Sequence, residues 1–159
     1  MALSETPTFD SLAADPSWKI AILRSVWYPD CTNALTSDAQ KMLLGAGIPQ
    51  KNILVIDAPG SFELPLLAKH AIEQLTCDGV IAFGIVVQGA THHAALVAEQ
   101  AAAGIMHVQL QTGVPITFEV MFVNTLEDAV TRSIGPKGKG SQAAKTLLSC
   151  LAKIREMRS

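Results

Sequence analysis

Two histidines and a threonine follow an apolar run in Gly84-Ile-Val-Val-Gln-Gly-Ala90-Thr91-His92-His93, where the chain's chemically capable residues are most concentrated. The run has strand character, and an alanine-rich helical segment opens after it. Backbone N–H groups, a Thr hydroxyl and an imidazole then stand at the C-terminal edge of a strand. Open α/β sheets bind ligands at that edge, and helix N-termini attract phosphate. His93 is the best general acid or base, because imidazole titrates near physiological pH. The plainer alternative is a pair of helix-start residues. Adjacent histidines diverge by about 100° on a helix, and no carboxylate sits at i+4, which argues against a metal site. Gly84-x4-Gly89-Ala90-Thr91 echoes a P-loop, but Ala90 stands where the phosphate-binding Lys belongs, which argues against ATP or GTP.

Other candidates are weaker one by one. Arg132, Lys137 and Lys139, around the loop Gly135-Pro-Lys-Gly-Lys-Gly140, could neutralise a phosphate, and a solvated basic loop explains them equally well. Trp27 could stack on a flat ring or simply lid the core. Glu63 at a helix start could hold a polar ligand or merely complement the helix dipole. Their shared position after strands is what joins them, since converging aromatic, apolar and polar groups make a small-molecule site.

The elements that must position these residues alternate along the chain. Strands are expected at Lys19–Arg24, Asn52–Asp57, Gly79–Val87 and within Gly113–Val123. Helices are expected at Thr32–Ala46, after an N-capping Ser61, at Thr91 to about His107, at Leu126–Arg132 and at Ser141–Met157. Gly79–Val87 is apolar on both faces, as a buried parallel strand is. This order implies one domain, a three-layer α/β/α sandwich on a four-stranded parallel sheet with right-handed crossovers. Residues 1–17 lack periodicity and read as a flexible N-terminal arm, with the domain spanning 18–159.

Composition excludes several classes. The 159 residues suffice for one domain with a proper core, 49% are hydrophobic, and only 16% are charged. A formal net charge of −2 gives no reason to expect nucleic acid or a membrane surface. Aromatic residues at 5% weaken base stacking further. The low charge favours subunit association. Cys31, Cys77 and Cys150 show no metal or disulfide spacing and suggest reduced thiols in a cytoplasmic protein. The first residues lack a signal-peptide pattern, and the longest apolar run is too short to span a bilayer.

Taken together, these segments resemble the lumazine synthase family of riboflavin biosynthesis. The likeness rests on Ala58-Pro-Gly-Ser-Phe-Glu-Leu-Pro65 and Gly84-Ile-Val-Val-Gln-Gly-Ala-Thr-His-His93, with looser agreement at Val114–Phe118 and Arg132–Gly140. The resemblance implies a flavodoxin-like fold and a cofactor-free condensation of 5-amino-6-ribitylaminouracil with 3,4-dihydroxy-2-butanone 4-phosphate. By position, Trp27, Ser61, Phe62, Glu63, Val86, Val87 and Phe118 match residues that bind the pyrimidine and its ribityl chain. Phe118 matches an aromatic supplied by a neighbouring subunit. Ala90, Thr91, Arg132 and Lys139 match the phosphate site, and His93, not His92, matches the proton-transferring histidine. The resemblance implies a site between subunits of a homopentamer; some members of the family stack twelve pentamers into a 60-subunit capsid, others stop at pentamers or decamers, and association with riboflavin synthase is open. The chain departs from the pattern at Val26, Tyr28, Ala94, Ala95 and Ser133-Ile134. A weakly or non-catalytic flavin-binding or shell-forming homologue is the alternative those departures raise.

Overall fold

The computed structural model describes residues 14–159. Most of the expected arm, residues 1–13, falls outside that range. At its edge Ala14 N donates to Ala46 O at 3.0 Å, and Asp15 accepts from the Ser17 N–H and hydroxyl at 2.9 and 2.7 Å.

The elements run β1 (Ile20–Ser25), α1 (Pro29–Gly45), β2 (Ile53–Ala58), α2 (Leu64–Glu73), β3 (Gly79–Val87), α3 (His93–Thr112), β4 (Ile116–Val123), α4 (Leu126–Ser133) and α5 (Gly140–Arg158). All strand pairings are parallel, in the order β2-β1-β3-β4. Ile20 registers with Ile53 on one side and Gly79 on the other, and Val80 registers with Ile116. The expected α/β architecture is the one observed.

Helices cover both faces because the central strands are apolar on both. Alternate side chains of β1 and β3 divide between two cores. Ile20, Ile22, Ile81 and Phe83 pack with Leu35, Leu43, Leu147 and Leu148 from α1 and α5. Ala21, Leu23, Val80 and Ala82 pack with Leu64, Ala68, Ile105 and Val108 from α2 and α3. Each large side chain here is essentially fully buried and contributes about 1.5–3 kcal/mol relative to exposure. The chain leaves β1 for α1 on one face and β3 for α3 on the other, so a crevice opens between the C-terminal ends of these two strands.

Helix boundaries differ from the sequence expectation where local chemistry intervenes. α1 begins at Pro29, not Thr32, because Tyr28 turns the chain in a left-handed conformation (φ 56, ψ 61) and Pro29 suits the first helical turn. α3 runs past His107 to Thr112 and stops at Gly113, whose φ of 70 ends the helix. Gln109 Oε1 then accepts from Ile116 N at 2.7 Å, pinning the end of α3 to the start of β4.

The expectation that Ser61 caps a helix is corrected. Ser61–Glu63 forms a 3-10 turn, Gly60 precedes it, and α2 starts one residue later without a side-chain cap bond. The tighter turn carries the Ser61 side chain inward, away from the helix N–H groups.

Candidate active site

A cavity of about 450 Å3 opens at the C-terminal ends of β1 and β3. Three segments build it. The turn after β1 supplies Ser25, Trp27 and Tyr28, the turn after β2 supplies Pro59 to Glu63, and β3 with α3 supplies Ile85 to Val87, His93, Ala94 and Val97.

Trp27 stands 61% exposed as one wall, and its indole N–H donates to Pro59 O at 3.0 Å. That bond ties the first turn to the second. The Trp27 backbone N–H donates to the buried Ser25 hydroxyl at 3.2 Å, which fixes the turn from below. Tyr28 is strained for a non-glycine residue, and strain of this kind concentrates at functional sites. Among the described residues, Glu63 is the only carboxylate in the cavity lining. Its Oε2 lies close over Gly60, beside the Trp27 indole nitrogen, so an acceptor and an aromatic plane occupy one corner. Phe62 is 59% exposed at the rim.

Val86 and Val87 point to opposite faces of β3, yet both line the cavity because the strand ends there. His93 opens α3 and reaches the cavity, with its backbone N–H donating to Thr91 Oγ1 at 3.4 Å. The Gln88 side chain donates to Gly89 O and Thr91 O at 3.1 and 3.4 Å, holding the loop between strand and helix. His92 is exposed and does not line the cavity.

The remaining predicted residues lie elsewhere in this chain. Ala90 and Thr91 are exposed on the β3–α3 loop, outside the cavity lining. Arg132 and Lys139 line a separate cavity of about 600 Å3 with Lys137, Ser141 and Gln142. Lys139 N donates to Arg132 O at 2.9 Å, which joins the end of α4 to the start of α5. Phe118 pairs with Ala82 in the sheet, packs half-buried against the α2–α3 core and reaches neither cavity. One chain therefore holds Trp27, Glu63 and His93 in one cavity and Arg132 and Lys139 in another.

Sequence reasoning passed over Ile85 and Val97 as cavity residues. Val97 was legible, because it stands one helical turn after His93 on the same face. Ser25 and Tyr28 lie on the segment after β1, which the sequence places at the ligand-binding edge of the sheet. No cluster of three or more metal-ligating side chains occurs among the described residues. No helix of the described residues is long and apolar enough to cross a membrane.

Comparison with known proteins supplies the family. A family model described as 6,7-dimethyl-8-ribityllumazine synthase matches residues 17–155. The chain is 38% identical to the 6,7-dimethyl-8-ribityllumazine synthase of Levilactobacillus brevis over 84% of this chain and 86% of that one. It is 36% identical to the protein of that name from Stenotrophomonas maltophilia over 92% of this chain and 95% of that one. A solved GDP-L-fucose synthetase from Naegleria fowleri covers 99% of this chain and 50% of its own at a TM-score of 0.45 and 14% identity, too slight a likeness to carry an argument. With a family match spanning the whole sheet and every wall of the cavity, the chain belongs to the 6,7-dimethyl-8-ribityllumazine synthase family.

Proposed function

We propose that this chain condenses 5-amino-6-ribitylaminouracil with 3,4-dihydroxy-2-butanone 4-phosphate to 6,7-dimethyl-8-ribityllumazine, releasing phosphate and water. The observation that carries this reading is the single cavity in which Trp27, the Ser61–Glu63 turn, Val86–Val87 and His93 meet. An aromatic plane, an apolar floor, one carboxylate and one imidazole suit a flat ring with a polyol tail undergoing proton transfers.

In this reading Trp27 stacks on the pyrimidine, and Val86 and Val87 pack its edge. Glu63 accepts from ribityl hydroxyls. The substrate amine attacks the ketone and water leaves as the Schiff base forms; phosphate is then eliminated, and the ribitylamino nitrogen closes the ring on the remaining carbonyl with loss of a second water. His93 moves the protons. Ala90 and Thr91 offer backbone N–H groups and a hydroxyl to the phosphate, with Arg132 and Lys139 as countercharges.

Within one chain those two cations line a different cavity from His93, which supports a site completed between subunits. A neighbouring copy then supplies Arg132, Lys139 and Phe118, in a homopentamer that further stacking could build into a capsid around riboflavin synthase. Exposed Leu96, Met106 and Leu110 on α3 and Phe122 on β4 support burial against a neighbour. Three free thiols support a cytoplasmic setting.

The test is lumazine formation from the two substrates, with the slow unaided condensation subtracted. Product well above that background is expected. Background-level product accompanied by tight riboflavin binding would replace this reading with that of a flavin-binding homologue.

A further inference from the structure

Thr117, Glu119, Met121 and Val123 alternate along one face of β4, and Met121 and Val123 belong to the core beneath α1 and α5. Glu119 therefore puts a carboxyl at the border of that core, beside the fully buried Phe83 with which it registers on β3. It is half-buried and, among the described residues, joins no ion pair. Desolvation penalises the ionised form of such a group, so a nearby positive charge matters to it. The fold brings one. The buried Ser133 hydroxyl donates to Met121 Sδ at 3.7 Å, which seats the end of α4 on this same face of β4. Arg132 O accepts from Lys139 N at 2.9 Å, which fastens Lys139, just before α5, to that seat. Burial pushes the Glu119 carboxyl up, and Lys139 acts in the opposite direction. Other charged groups stand on the neighbouring elements, Asp38 on α1, Glu127, Asp128 and Arg132 on α4 and Lys145 on α5, but Lys139 is the one that bears on Glu119. Lys139 is also exposed and lines the basic cavity with Arg132. One ammonium group on a flexible stem thus stands between a carboxylate of its own chain and a cavity suited to an anion.

We propose that Glu119 is a positioning residue for Lys139, its carboxylate competing with a bound phosphate group for the Lys139 ammonium and so loosening the hold on phosphate once the substrate has released it. This inference rests on the reading of Arg132 and Lys139 as phosphate countercharges given above. A cation shared between two anions holds each less firmly than one dedicated to either. An enzyme that expels phosphate turns over only as fast as that product leaves, so a built-in competitor favours the next cycle.

The experiment titrates inorganic phosphate calorimetrically into the full chain and into Glu119→Gln, Lys139→Ala and the double variant. Glu119→Gln is expected to bind phosphate about two- to fivefold more tightly, the size of an ion-pair effect that water partly screens. Lys139→Ala is expected to bind it more weakly, and Glu119→Gln to change nothing once Lys139 is gone. Unchanged or weaker affinity in Glu119→Gln overturns the proposal. So does an equal gain with and without Lys139, since the carboxylate would then act on phosphate by its own field. Should Glu119→Gln not fold, carboxyl-carbon NMR of Glu119 in the parent and in Lys139→Ala decides the matter. Its titration is expected to move to higher pH when Lys139 is removed, and an unmoved titration overturns the proposal. Phosphate affinity that Arg132→Ala and Lys139→Ala both leave intact places phosphate elsewhere, which overturns the phosphate reading of the basic cavity together with this inference. Affinity that falls in Lys139→Ala but ignores Glu119→Gln overturns this inference alone.

Discussion

His93 and His92 are neighbours in sequence, but only His93 lines the cavity, since successive helix-start residues point in divergent directions. His93→Ala is expected to lower turnover roughly 10²–10⁴-fold, the usual range for losing a general acid or base, with His92→Ala far milder. Equal losses in steady-state assays would refute the assignment. Glu119 makes a second residue-scale prediction. Burial on β4 holds its carboxyl above the ordinary glutamate range, and nearby Lys139 offsets this in part. A carboxyl whose pKa rises on folding binds its proton more tightly in the folded chain, so its contribution to stability is fully present at acid pH. That contribution is lost as pH rises from the unfolded towards the folded value. Glu119→Gln is therefore expected to be more stable than the parent at neutral pH, with the gap closing on acidification. Urea titrations across pH check it, and a gap independent of pH would mean the carboxyl is not held protonated by the fold. Residue types and spacing were enough to mark Trp27, Glu63 and His93 as chemically capable. The burial of Ser61 and Glu119 was not legible, because it depends on what lies across from them in the sheet.

At the scale of elements, the loop after α4 is clamped between α1 and α5. A Cβ on Gly140 would overlap Leu35 O and stand 2.9 Å from Asp38 Cβ, and one on Gly138 would stand 3.2 Å from Asp38 Oδ2. The first turn of α5 therefore lies directly on the α1 backbone, and that contact sets where Lys139 sits. Gly140→Ala is expected to destabilise the chain by about 1–3 kcal/mol, the cost of overpacking against backbone that cannot yield. On the phosphate role proposed for Lys139, displacing it should also raise the KM for the phosphorylated substrate. A wild-type unfolding midpoint would show that α5 is free to shift. The strands, their parallel pairing and the existence of the helices were readable from apolar runs, turn residues and parallel-sheet rules, whereas the order β2-β1-β3-β4 came only with the structure. Helix starts were less so: α1 begins where Tyr28 takes a left-handed conformation, a choice that no residue preference at that position favours.

For the whole molecule, the proposed function turns on whether a second copy of the chain joins the two cavities. The cavity holding His93 and the cavity holding Arg132 and Lys139 are distinct in one chain, and Phe118 reaches neither. Light scattering is expected to give a mass that is a multiple of five chains, and active samples should be the assembled ones. A monomer with full activity would mean that one chain closes its own site. Sequence alone determined the parallel α/β architecture, because unbroken apolar strands alternating with helices leave few other ways to bury both faces of a sheet. It also determined which side chains have usable chemistry, since that is a property of residue type. Only the tertiary structure decided which of them share a cavity. It joined Trp27, Glu63 and His93 across two crossovers, left Arg132 and Lys139 apart, and pressed the Ser61 hydroxyl onto Gly84. Such contacts between distant segments depend on how strands and helices pack, and no local pattern encodes them.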